Sequence, residues 1–276
     1  MVPLKSDRLD AGQIRSGLAT EAKQNLRQLT LLQDVDSTNT AILRLPGEQQ
    51  HAHVILAERQ TGGRGRRERS WHSPAGGNIY LSLGWWFMQN TWPLSTLPLV
   101  VAIAVCRALS RAGLQGHGIK WPNDILVDSR KLAGILVELQ SAGQGPAVAV
   151  IGVGLNVRMP SETPGDIEGA IDRPWTDLVS QLGPENSGIS RNHLVVLLLE
   201  ELLTGLELFE TMGFEAFRAS WQSLDLLNSG EIRLEQNGQN RAGIARGVDK
   251  NGSLLLEIPD SGVVAFYSGE VSIHRD

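Results

Sequence analysis

Cysteine is almost missing from this chain of 276 residues, which contains Cys106 alone. A single cysteine excludes an intramolecular disulfide and a multi-cysteine zinc site. Because Cys106 lies in an apolar run, the sequence predicts a buried and unreactive thiol. Scarce cysteine is typical of proteins from a reducing compartment, and we expect a cytoplasmic location.

Long hydrophobic runs are also lacking. The N-terminal stretch MVPLKSDRLD has no apolar core of a signal peptide, and the most apolar stretch, around residues 97–106, is too short to span a bilayer. The net charge is −5 and the sequence pI is near 5.7, so the overall field repels nucleic acid and anionic lipid. The composition therefore predicts a globular protein that does not bind a membrane.

The familiar fingerprints of nucleotide binding and nucleophilic catalysis are absent. The stretch GGRGRR lacks the third glycine of GxGxxG, and neither GxxxxGK[ST] nor GxSxG occurs. His51 and His53 have no third metal ligand beside them in the sequence, which disfavours a zinc site. Any phosphate site in this chain must therefore use another geometry.

The apolar pattern predicts an α+β fold. Strand-like segments include HVILAE, NIYLSLGWW, GIKW, DILV, LAGILVELQ and AVAVIGVGLNV, and the last four are separated by short turns, which favours antiparallel pairing among them. Two helical patterns cover residues 94–112 and 192–210. The last 48 residues carry Asn237-Gly238 and Asn251-Gly252 between short strands, a typical hairpin signal. We predict a catalytic domain over residues 1–228 and a small β domain over residues 229–276.

One basic loop contrasts with the acidic chain. The stretch GGRGRRERSWHSPAGGN, residues 62–78, places four arginines within six residues among glycines, and strands hold both of its ends. A solvated charged loop is the simplest interpretation. Guanidinium groups, however, bind phosphate or carboxylate in a bidentate manner, and glycine lets backbone N–H groups approach an anion. The loop is therefore predicted to bind a phosphate-bearing ligand, whose charge would offset the repulsion between the arginines.

Lys120 in KWPND lies where a predicted strand enters a turn. A lysine in such a place is usually a surface charge. It could also act as a point charge on a phosphoryl oxygen if the strand ends beside the basic loop.

Six motifs in their order resemble those of bacterial biotin–protein ligases. They are DSTN, the basic loop with NIYLSL, KWPNDILV, KLAGILVE, GVGLN, and the terminal GVDKNGSLLLE with SGEVS, and they cover the chain from about Leu29 onward. The resemblance implies a mixed β-sheet with helices, as in class II synthetase-like biotin and lipoate ligases, followed by a small SH3-like β-barrel. Some members of that family carry an N-terminal DNA-binding module, but only 36 residues precede Ser37, so we expect no DNA binding.

The resemblance also implies a reaction. Biotin and Mg²⁺-bound ATP would give biotinyl-5′-adenylate, and the biotinyl group would pass to a lysine of a biotin carboxyl carrier protein, such as that of acetyl-CoA carboxylase. The basic loop would close over the intermediate and exclude the water that destroys an acyl adenylate. A monomer and a homodimer are both compatible with the family, and the magnesium ligands stay unassigned.

Site residues follow from the same motifs. The resemblance implies catalytic roles for Lys120 and Arg66. It implies biotin contacts from the first five motifs and from Gln60, which lies ahead of the glycines of the basic loop. These residues are Ser37, Thr38, Asn39, Gln60, Arg64, Gly65, Arg66, Lys120, Trp71, Gly134, Gly152 and Gly154. It implies contacts to ATP or the adenylate from Arg64, Arg66, Arg67, Asn78, Lys120, Asn156 and Trp175.

Two other functions remain open at this point. A lipoate-type ligase or acyltransferase shares the fold but needs a pocket for an apolar dithiolane, whereas the Ser-Thr-Asn stretch is polar. A non-catalytic biotin sensor needs no phosphate site, so the presence of Lys120 and Arg66 disfavours it.

Overall fold

The computed structural model describes residues 7–88, 91–141, 146–160, 174–183 and 188–273. These residues form two β-sheets, a larger one of seven strands and a smaller one of five. The strands of the larger sheet are β1 Gln28–Val35, β2 His53–Gln60, β3 Ile79–Phe87, β4 His117–Lys120, β5 Asp124–Val127, β6 Arg130–Ser141 and β7 Ala147–Leu155.

Seven α-helices lie among the described residues. They are α1 Ala11–Gly17, α2 Thr20–Asn25, α3 Thr38–Leu43, α4 Leu97–Arg111, α5 Leu178–Leu182, α6 Arg191–Met212 and α7 Arg218–Leu224. The N-terminal pattern, which predicts one helix, forms two, because the chain is extended at Leu18 and Ala19 between them.

The larger sheet has the order β1-β2-β3-β7-β6-β5-β4. Only β1 and β2 pair in parallel, and every other neighbouring pair is antiparallel. Among β4, β5, β6 and β7 this is the pairing that the short connectors predict. Strands β3, β6 and β7 lie at the centre, where KLAGILVE and GVGLN therefore run side by side. The motifs of the candidate site are thus brought together by central strand pairing.

Helix α4 is almost entirely apolar and packs between the sheet and α6. The segment Leu94–Arg111 is long and apolar enough to meet the criteria for a membrane span, but 67% of it is buried inside the protein. It is therefore explained as a core helix. Cys106 lies on it with no exposed surface, as predicted, and burial raises the pKa of its thiol.

The smaller sheet is formed by β8 Glu231–Gln236, β9 Gln239–Val248, β10 Leu254–Ile258, β11 Gly262–Phe266 and β12 Glu270–Ile273, in the order β11-β10-β9-β8-β12. The predicted hairpin at Asn237-Gly238 is confirmed: Gln236 pairs with Gln239, and both turn residues have positive φ. This antiparallel sheet is consistent with the predicted SH3-like domain. Among the described residues β11 and β12 are its two edge strands, so the sheet does not close into a barrel. The boundary at residue 229 stays a prediction.

Three histidines are neutral parts of the fold. Burial lowers the pKa of His51, His53 and His117. In His53, Nδ1 lies 3.1 Å from the Gln49 carbonyl and must donate to it, so Nε2 accepts from the Thr30 hydroxyl at 2.9 Å. The bond to Gln49 raises the pKa, but the effect of burial is larger and lowers it.

We expect the free energy of unfolding to decrease as the pH falls below the ordinary histidine pKa of 6.5. Below that pH the unfolded chain binds protons that the folded chain still excludes, so acid favours unfolding; above it the contribution is fully present. Urea titrations of wild type and His53→Gln between pH 5 and 8 test this. The loss between pH 7 and 5 should be smaller in the variant, and an equal loss would contradict the assignment.

Candidate active site

Two connected cavities lie at the edge of the larger sheet where β7 ends and where β3 and β6 begin. The inner cavity, of about 50 Å³, lies against α3 and β7, and the outer cavity, of about 380 Å³, opens toward the smaller sheet. Five residues line both cavities and so form their junction: Gly65, Arg66, Trp71, Asn123 and Lys131.

The structure brings most of the predicted residues to these cavities. The inner cavity is lined by Ser37, Thr38, Asn39, Gln60, Arg64, Gly65, Arg66, Trp71, Gly134, Gly152 and Gly154. The outer cavity is lined by Arg66, Arg67, Lys120, Asn156 and Trp175. Lys120, predicted to contact biotin, lines the outer cavity and not the inner one.

A polar network forms the closed end of the inner cavity. Gln60 Oε1 accepts hydrogen bonds from the backbone N–H of Thr38 at 2.9 Å and from its hydroxyl at 3.1 Å. Ser82 Oγ lies 2.7 Å from the Thr38 hydroxyl and 2.6 Å from Asn39 Oδ1. The Ser37 hydroxyl, at the start of α3, makes no capping bond there. It is thus available to a ligand at the helix N-terminus.

The side wall of the inner cavity is a tryptophan lying on glycine backbone. The ring of Trp71 packs so closely on β7 that a Cβ at Gly154 would lie 2.5 Å from its Cε2 atom, and a Cβ at Gly134 on β6 would lie 2.8 Å from Cζ3. Only glycine leaves room for the ring at these positions. The Trp71 Nε1 atom is buried without a hydrogen-bond partner.

Arg64 and Arg66 are held by groups from the larger sheet. The Arg64 guanidinium lies 2.8 Å from Glu138, whose same carboxylate oxygen accepts from the Asn39 amide at 2.7 Å. Arg66 donates to Asn123 Oδ1 at 3.1 Å, and its burial lowers its pKa. Both arginines therefore line the inner cavity.

Arg67 and Arg69 are held by the smaller sheet. Arg67 lies 2.7 Å from Glu235, and Arg69 lies 2.6 Å from Glu270. Carboxylates from distant strands therefore offset the repulsion between the arginines. That a ligand's phosphate also binds these arginines stays a prediction.

The tip of the loop is a tight turn. Arg67 and Glu68 both have left-handed φ, of 55° and 61°, and the Arg69 N–H donates to the Arg66 carbonyl at 3.3 Å. Two successive non-glycine residues with left-handed φ carry backbone strain. The ion pairs around the turn must overcome this strain.

We expect Glu270→Gln to loosen this loop, because it removes the anion that neutralises Arg69. Such half-exposed pairs contribute roughly 0.2–1 kcal/mol, so amide exchange at residues 64–70 should accelerate by a factor of about 1.4 to 5. Exchange mass spectrometry measures this, with Glu257→Gln, which faces Arg246 on the smaller sheet, as the control. Unchanged exchange in Glu270→Gln would contradict the anchoring role.

Lys131 is the lysine at the junction, and the sequence analysis did not select it. Its Nζ lies 2.7 Å from Asp124 Oδ1 and 5.1 Å from the centre of the Trp71 ring. The residue begins the KLAGILVE motif, but the sequence gives no sign that Lys131 rather than Lys120 reaches both cavities. Trp175 reaches the outer cavity through a parallel bridge with Lys131.

Asn78 lies apart from the other predicted nucleotide contacts. It has no exposed surface, and its Oδ1 accepts from the backbone N–H groups of Val157 and Arg158 at 2.9 and 3.3 Å. Its amide nitrogen lies 3.1 Å from the Tyr80 hydroxyl. Asn78 thus fixes the chain after β7 and lines neither cavity.

Comparison with known proteins matches two regions of the chain to protein families. Residues 31–156 match the biotin/lipoate A/B protein ligase family, and residues 230–273 match the biotin protein ligase C-terminal domain. The bifunctional ligase/repressor BirA of Escherichia coli is 38% identical over 91% of this chain and 77% of its own. A biotin–[acetyl-CoA-carboxylase] ligase of Paracoccus denitrificans is 32% identical over 83% of this chain and 94% of its own.

A solved structure has the same fold. The Aquifex aeolicus biotin protein ligase, determined in complex with biotin and ATP, superposes with a TM-score of 0.72 at 27% identity, over 91% of this chain and 100% of that one.

Proposed function

The chain belongs to the biotin protein ligase family, and we propose that it activates biotin as biotinyl-5′-adenylate and transfers the biotinyl group to a lysine of a carboxyl carrier protein. One observation carries this proposal: a small, polar-ended cavity opens into a larger one through a junction with two cations, Arg66 and Lys131. Such a junction suits a carboxylate that meets a phosphate.

Biotin would occupy the inner cavity with its ureido ring at the polar end. The Ser37 hydroxyl is the group placed to bind the ring, whereas the amide of Gln60 is already bonded to Thr38 and Ser73 and supports the wall of the cavity. The amide of Asn39 is already bonded to Ser82 and Glu138, so we propose that it shapes the cavity. The valeryl chain would then run past Trp71, with its carboxylate at Lys131.

ATP would occupy the outer cavity, with the adenine beside Trp175 and the α-phosphate at the junction. A carboxylate oxygen of biotin attacks the α-phosphorus, and the bond from that phosphorus to the bridging oxygen of pyrophosphate breaks. Lys131 and Arg66 stabilise the negative charge that grows on the phosphoryl oxygens in this step. Lys120, in the wall of the outer cavity, is placed to bind the departing phosphates.

Mg²⁺ would enter with ATP and neutralise part of the phosphate charge. Among the described residues no cluster of three His, Cys, Asp or Glu side chains could hold a metal ion. Both carboxylates that line the outer cavity are paired, Asp124 with Lys131 and Glu270 with Arg69. We therefore propose that the phosphates themselves supply most of the ligands.

Exchange of labelled pyrophosphate into ATP tests the first half-reaction. Biotin should support exchange, and lipoate should not. Mass spectrometry of a carrier domain incubated with biotin, ATP and the protein tests the second. Exchange with lipoate alone would favour the lipoate ligase, and biotin binding without exchange would favour the sensor. We place the reaction in the cytoplasm, where carboxylases use biotin.

A further inference from the structure

We infer that a third cavity, on the helix-packed face of the larger sheet, admits the side chain of the acceptor lysine. This inference rests on the proposed function and adds the route by which the amine reaches the acyl adenylate. We call this cavity the lysine groove; its volume is about 120 Å³.

The lysine groove ends at the junction of the other two cavities. Arg66 and Asn123 line all three cavities. The hydrogen bond between these two side chains therefore lies where the cavities meet. From there the groove runs past Val137 to Ser95 and Tyr267 at its mouth. Ser95 is exposed, and Tyr267 is 79% exposed.

The acceptor lysine needs a separate route because the intermediate fills the inner and outer cavities. Once biotinyl-5′-adenylate is bound, its biotinyl part lies in the inner cavity and its AMP part in the outer one. An amine that entered through either cavity would have to displace part of the intermediate. The lysine groove reaches the junction, where the acyl carbon lies, without crossing either part.

The lining of the groove suits a lysine side chain. Pro98, Leu99 and Val137 provide an apolar wall for the methylenes. An apolar wall and the cation Arg66 both disfavour a charged ammonium, so the lysine would arrive as the neutral, nucleophilic amine.

The transfer step is balanced without a further reactant. The amine nitrogen forms a bond to the acyl carbon, and the bond from that carbon to the phosphate oxygen breaks. AMP leaves with the electron pair, and the nitrogen releases one proton to solvent.

The protein surface beside the mouth of the lysine groove is apolar, which indicates that a folded partner docks there and presents the lysine. Val263, Ala265 and Tyr267 are exposed; Val263 and Ala265 share one face of β11, and Tyr267 directly follows the last residue of that strand. This apolar strip is continuous with the mouth of the groove through Tyr267. A carrier domain bound there would place a lysine at Ser95.

Ser95→Trp tests the groove because it fills the mouth with an indole at an exposed position. We expect single-turnover transfer from preformed adenylate to the carrier domain to slow at least tenfold, while pyrophosphate exchange stays within twofold of wild type. Ser110→Trp is the matched control: Ser110 is exposed at the far end of α4 and lines none of the described cavities. It should leave both rates unchanged.

Transfer slowed less than tenfold by Ser95→Trp, or exchange that falls together with transfer, overturns the inference; the second result would mean that substrate occupies the groove in the first half-reaction. If the variant lacks a cooperative thermal unfolding transition, Val137→Phe is judged by the same criteria. Loss of exchange in the wild type would instead refute the proposed function.

Discussion

Lys131→Ala is expected to slow adenylate formation by roughly 100- to 1,000-fold, the usual cost of removing one group that stabilises transition-state charge. The affinity for biotin should change much less, because its ring binds at the other end of the inner cavity. The rate of pyrophosphate exchange and the dissociation constant for biotin measure the two effects separately. Lys120→Ala should have the smaller effect on exchange, since Lys120 lines the outer cavity only.

The ion pair of Lys131 requires its own control. Removing Lys131 leaves the buried Asp124 carboxylate without its partner at 2.7 Å, which by itself could disturb the site. The double variant Lys131→Ala with Asp124→Asn removes that unpaired charge. Exchange that stays slow in the double variant supports direct action of Lys131 on the phosphate. Exchange that recovers would assign the loss to Asp124.

Gly154→Ala is expected to weaken biotin binding while the fold is kept. A methyl group there meets the Trp71 ring at 2.5 Å and forces the ring away from β7 and into the inner cavity. Overpacking of this kind costs about 1–3 kcal/mol, which corresponds to a roughly 5- to 150-fold weaker complex. Isothermal titration with biotin measures the change.

Gly205→Ala is the control for that substitution. Its Cβ would lie 3.9 Å from the nearest neighbouring atom, Ala104 Cβ, so α6 accommodates it. Gly205→Ala should bind biotin as the wild type does. A Gly154→Ala variant with wild-type affinity would show that Trp71 moves without entering the cavity.

Much of the fold and part of the site follow from local sequence. The Asn237-Gly238 turn and the apolar pattern of α4 are set by neighbouring residues, so the sequence predicts them. The motifs KLAGILVE and GVGLN lie on β6 and β7, whose antiparallel pairing follows from a short connector. Pairing then brings residues such as Gly134 and Gly154 into register.

Contacts between distant residues are what the sequence analysis could not predict. Glu270 lies 201 residues beyond its partner Arg69, and no local pattern connects the two. Asn78 lies at the end of the basic loop, yet the chain there turns into the core, where its amide satisfies backbone groups. Lys131 was not selected because only the packing of β5 and β6 shows that its side chain lines both cavities.

The anchoring of the basic loop on the smaller sheet has a practical consequence for shortened versions of the protein. A chain cut before β8 would lose Glu235 and Glu270, and Arg67 and Arg69 would then face solvent with no counter-ion. Exposed clusters of this kind attract polyanions in a salt-dependent way. Such a fragment should co-purify with cellular RNA, and washing at high ionic strength should remove the RNA from the fragment.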